Sequence, residues 1–86
     1  SEASRWKLVY AFSHEELEEA EALKEFLEES IEELDYLSLK VSIDYYNPDM
    51  SFVVVHGLRS RLGVQGLVEK LEEIKENHTN RLGSEI

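Results

Sequence analysis

Between Ser13 and Leu34 the apolar residues Leu17, Ala20, Leu23, Phe26, Leu27, Ile31 and Leu34 recur at threes and fours, and nearly every other position is glutamate. That spacing is one turn of an α-helix, so the segment predicts a helix with a single apolar stripe. The stripe has to be buried, and the glutamates have to stay in water. Ser13-His14-Glu15-Glu16 supplies a capping box at its start, in which the Glu16 carboxylate reaches back to the Ser13 backbone. One amphipathic helix cannot hide its stripe alone, so the rest of the chain must provide a matching apolar surface.

That surface is predicted on three extended segments. Trp6 to Phe12 places Trp6, Leu8, Tyr10 and Phe12 on one face. Leu37 to Tyr45 alternates, with Leu37, Leu39, Val41, Ile43 and Tyr45 opposed to Ser38, Lys40, Ser42 and Asp44. Met50 to His56 follows the turn Asn47-Pro48-Asp49 and is apolar on both faces at Phe52-Val53-Val54-Val55. It reads as the central strand, with Leu37–Tyr45 at an edge. Gly57 to Ser60 is a loop. A second helix runs from Gly63 or Val64 to about Asn77, with Val64, Leu67, Val68, Leu71 and Ile74 as its stripe. His78 to Ile86 reads as a frayed tail or a short fourth strand. Residues 1–5 read as a flexible N-terminal remnant ahead of a single domain over 6–86.

The expected architecture is therefore an α+β, ferredoxin-like two-layer sandwich, βαββα with or without the fourth strand. Its sheet is antiparallel or mixed, and both helices cover one face. The expectation includes a first strand running parallel to the third, with both helix N-termini at one end of the sheet. Ser13, His14, His56, Arg59, Ser60, Arg61 and Gly63 would then gather around two positive helix ends, a place for a phosphate or carboxylate. Ordinary capping is the plainer explanation of those residues.

A formal charge of −10 on 86 residues repels phosphate backbones and anionic membranes, and favours a protein partner or self-association. Without cysteine there is no disulfide, thiol nucleophile or zinc–thiolate site, and no cofactor is expected. No apolar run approaches the roughly 20 residues of a membrane span, and no leader pattern is seen, so the chain reads as soluble, its compartment open. Asn77-His78-Thr79 is a glycosylation sequon, meaningful only for a secreted chain. Gly63-Val64-Gln65-Gly66 resembles, in its glycine spacing, the backbone-clamping loop of K-homology domains. Val64 and Gln65 stand where such loops carry basic residues, and the glycines are read as a tight strand-to-helix turn and close packing.

A sandwich with both helices on one side leaves the reverse of its sheet uncovered. Lys7, Val9 and Ala11, Lys40 beside Ser42 and Asp44, and one parity of Phe52, Val53, Val54 and Val55 are expected there. Large apolar side chains on a bare face, beside an unpaired first strand, point to a non-catalytic interaction or assembly module. Two other readings compete with it. One is an anion site at the helix N-termini. The other is a designed chain without natural activity, suited by ideal glutamate-rich helices and tidy alternation.

Overall fold

The computed structural model describes the backbone of residues 6–84 and the side chains of residues 6–80. The remnant expected over 1–5 lies outside the described residues. In chain order the elements are β1 (Trp6–Ser13), a short 3₁₀ turn (His14–Glu16), α1 (Leu17–Glu33), β2 (Lys40–Asn47), β3 (Met50–Leu58) and α2 (Arg61–Ser84). The three strands form one sheet in the order β1-β3-β2. β3 is antiparallel to both neighbours. The expectation that β1 and β3 run parallel is overturned, since they pair antiparallel; the parallel pair is β1 and β2, joined by α1 with β3 lying between them.

The central strand earns its place by being apolar on both sides. Val53 faces Tyr10 on one side and Ile43 on the other, and Val55 faces Leu8 and Val41. These side chains meet Ala20, Leu27 and Ile31 of α1 and Leu67 and Leu71 of α2 in one buried cluster. Val53 and Val55 share one parity with their partners Leu8, Tyr10, Val41 and Ile43, so both helices pack on a single face of the sheet. Burial of each large aliphatic side chain here contributes about 1.5–3 kcal/mol.

The ends of the elements follow from local chemistry. Glu16 Oε1 accepts hydrogen bonds from the Ser13 backbone N–H at 2.9 Å and from the Ser13 hydroxyl at 3.0 Å, holding the start of the helical segment. These bonds favour the charged carboxylate and hold Glu16 below the usual glutamate range, the backbone bond contributing most. Just past the end of α1, Asp35 with a φ of 60° turns the chain left-handed. The Tyr36 N–H bonds to the Ile31 carbonyl and the Asp35 N–H to that of Glu32, a Schellman termination with aspartate in the place glycine usually takes. That reversal, followed by a turn in which the Leu39 N–H reaches the Tyr36 carbonyl, uses up Leu37 to Leu39, so β2 starts only at Lys40. Leu37, expected on the buried side of a strand, is 81% exposed.

Asn47 Oδ1 accepts the N–H groups of Asp49 and Met50 and closes the hairpin between β2 and β3. At the other end of β3, Gly57 has a φ of +98°, and the register with β1 slips between Trp6 and Leu8. Glycine there makes a bulge that turns Leu58 into the core. α2 begins at Arg61 with Ser60 as its cap, Ser60 Oγ accepting the Gly63 N–H at 3.0 Å. It runs past Asn77 to Ser84, so the segment read as tail or fourth strand is helical as far as it is described. Nothing in 77–84 is a strong breaker apart from Gly83, and extending a formed helix costs little.

Candidate interaction surface

The face of the sheet away from the helices carries Val9 and Ala11 from β1, Phe52, Val54 and His56 from β3, and Ser42 and Asp44 from β2. Val9 lies opposite Val54, and Val54 opposite Ser42; the next row is Ala11, Phe52 and Asp44. Val9 is 51% exposed. Tyr46, 70% exposed, has its ring centroid 5.6 Å from that of Phe52, with the planes tilted by 58°. An apolar strip from Val9 through Phe52 to Tyr46 therefore crosses all three strands. Polar groups border it: Lys7 and Lys40 are exposed, and Ser42 Oγ lies 2.8 Å from His56 Nε2 and 3.2 Å from Asp44 Oδ1.

Of the four candidates Phe52, Val53, Val54 and Val55, of which one parity is expected on this face, Phe52 and Val54 are there. Val53 and Val55 have no exposed surface and belong to the core, because their parity matches Leu8 and Tyr10 on the helix side. Val54 is only 4% exposed, walled in by cross-strand and same-strand neighbours. Tyr46 falls between the expected strand Leu37–Tyr45 and the turn Asn47-Pro48-Asp49, so the sequence pattern does not single it out. The irregular register between Tyr45 and Asn47 delivers it beside Phe52.

The residues expected to gather around an anion are split, with Ser13 and His14 at one end of the sheet and His56, Arg59, Ser60, Arg61 and Gly63 at or beyond the other. Ser13 pairs with Met50 at one end of β3, while Trp6 pairs with Leu58 at the other, just before Arg59, Ser60 and Arg61. Seven steps of β1 separate the two ends by about 23 Å. His14 is tied to the hairpin end by its N–H bond to the Asp49 carbonyl. His56 is engaged with Ser42, and the Ser60 hydroxyl with Gly63.

Gly63 and Gly66 lie within α2 rather than in a loop before it. A Cβ on Gly66 would meet nothing within 4 Å, and one on Gly63 only the Ser60 hydroxyl, so close packing inside the chain does not explain them. Both line a cavity of about 560 Å³ between α2 and the 35–39 turn, together with Tyr36, Leu37, Arg59 and Leu67.

These features define a small α+β domain with a three-stranded antiparallel sheet, two helices on one face and a bare reverse. Comparison with family models, with curated proteins and with solved structures finds no match to this chain. No helix among the described residues is long and apolar enough to cross a membrane.

Proposed function

We propose that this domain is a non-catalytic interaction and assembly module of ferredoxin-like build, which associates through its helix-free sheet face and the adjoining free edge of β1. The observation that carries the reading is the strip Val9–Phe52–Tyr46, exposed at Val9 and Tyr46 and half-buried at Phe52, on the sheet face that no helix covers. A β1 edge without a strand partner among the described residues adds backbone donors and acceptors beside the strip.

Electrostatics favours a second copy at this side. Residues 15–33 hold ten glutamates and one lysine, whereas β1 has a single charge, Lys7, and α2 contains four acidic and four basic residues. Two copies meeting at the β1 edge and open face bring their least charged surfaces together. A three-stranded face of roughly 15 by 25 Å is smaller than the ~800 Å² per partner of a standard interface, so binding is weak. The expected Kd is on the order of 10–100 µM, or about 5.5–6.8 kcal/mol.

Sedimentation equilibrium over a wide concentration range tests this. The mass should rise from that of the 10.0 kDa monomer towards twice that value. A constant monomer mass at millimolar protein, with no other protein partner bound at the open face, rejects the reading.

A further inference from the structure

The helix-free face is not uniform in charge along its strands. At one end Lys40 of β2 lies opposite His56, and Lys7 of β1 flanks the same end. Val9, Val54 and Ser42 form the next cross-strand row, and Ala11, Phe52 and Asp44 the one after it. Lys40 and Asp44 are both exposed and stand symmetrically on either side of Ser42. Neither has an ion-pair partner among the described residues, although Lys40 also borders the cavity that Glu28 and Glu32 line. The two opposite charges are roughly 13 Å apart along β2, too far to meet within one chain.

One charge of each sign, equally spaced about a middle row, complements a second copy in one orientation only. We infer that two copies stack their open faces about a twofold axis that crosses the strands at the Val9–Val54–Ser42 row. The inference rests on the self-association proposed above and adds how the two faces meet. Stacked sheets lie about 10 Å apart, a gap that lysine and aspartate side chains extended toward each other bridge. Turned this way, each strand lies antiparallel over its own counterpart. Lys40 meets the partner's Asp44, and Asp44 meets the partner's Lys40. Val9 and Val54 lie on the axis over their own counterparts, and His56 lies over the partner's Phe52. The alternative axis, along β3, sets Lys40 over the partner's Lys7 and His56 over the partner's His56, and leaves Asp44 without a cation. Like charges facing each other oppose binding, so electrostatics selects the first arrangement. Both helices pack on the far side of each sheet, so the glutamates of α1 stay on the outer sides of the stack.

Exchange of the two charges tests the orientation by sedimentation equilibrium. Lys40→Asp leaves only carboxylates at the paired positions, and Asp44→Lys only ammonium groups. Each variant alone should therefore self-associate about tenfold more weakly than the natural chain. An equimolar mixture of the two variants restores both opposite pairs and should associate within about threefold of the natural chain. Net charge alone predicts something else, because Asp44→Lys makes the chain less acidic and would then associate more tightly. Both positions are exposed, so both variants should stay folded, which their amide spectra check. An Asp44→Lys variant that associates as tightly as the natural chain overturns the orientation, as does a mixture no tighter than its separate components. Either result leaves the self-association of the natural chain standing. A natural chain that stays monomeric at millimolar concentration overturns both.

Discussion

The rings of Tyr46 and Phe52 meet on the uncovered side of the sheet, their centroids 5.6 Å apart and their planes inclined by 58°. Tilted aromatic pairs of this kind contribute about 0.5–1.5 kcal/mol beyond the area they bury. Here the pair is also the broad end of the apolar strip that begins at Val9, so it links the stability of the β2–β3 hairpin to the proposed association.

Substitution on that strip should separate the two effects. Val9→Lys places a charge on a half-exposed site and should change stability by no more than about 0.5 kcal/mol. Desolvating that charge in an interface should weaken self-association by at least ~1.4 kcal/mol, a factor of ten. Urea unfolding and sedimentation on the same sample read the two numbers.

Gly57→Ala should be among the most damaging single changes. The backbone sits at a φ of +98°, and an added Cβ would lie 2.5 Å from the Ser38 carbonyl oxygen. A left-handed strain of about 1–3 kcal/mol adds to a backbone clash that only movement of the 36–39 turn can relieve. The expected loss is about 3 kcal/mol in urea unfolding, a large part of the ~5 kcal/mol typical of the low end for small domains.

Gly66→Ala should do the reverse. The residue is in the helix interior and a Cβ there would touch nothing within 4 Å. Removing the backbone freedom of glycine should stabilise the chain by about 1 kcal/mol, measurable as a higher urea midpoint at unchanged slope.

Alkaline stability should depend on Tyr10. Burial against the helices, and secondarily the charge of Glu72, raise its pKa above 10.0. A raised folded-state value means the unfolded chain loses the phenolic proton first. This contribution is therefore complete below about pH 10 and is lost as the pH rises through the folded-state value. Urea titrations between about pH 8 and 11 should show a steeper decline for the natural chain than for Tyr10→Phe.

Much of the fold is written in local periodicity. The 3–4 spacing from Leu17 to Leu34, the two-sided apolar run Phe52–Val55 and the Asn47-Pro48-Asp49 turn each specify an element with little help from elsewhere. Strand direction is different, because the pattern of Trp6–Phe12 suits parallel or antiparallel pairing equally. The antiparallel choice splits Ser13 from Arg59 and dissolves the expected cluster. The parity of Val53 and Val54 was likewise open until the core chose Val53 and Val55. Leu37 alternates with its neighbours like a strand residue, yet the Schellman termination at Asp35 spends that stretch on a turn. The bulge at Gly57 leaves only a glycine as its signal in the sequence, and a glycine after a strand suits a loop equally well.

Isotope-filtered NMR on a mixture of labelled and unlabelled protein at millimolar concentration tests the central claim most directly. Intermolecular contacts are predicted from Val9, Ala11, Phe52 and Tyr46 and from the backbone of β1, with none from the acidic face of α1. Contacts confined to Leu37 and Leu62, which are 81% and 77% exposed elsewhere on the surface, would contradict it. So would a spectrum with no intermolecular contact at all.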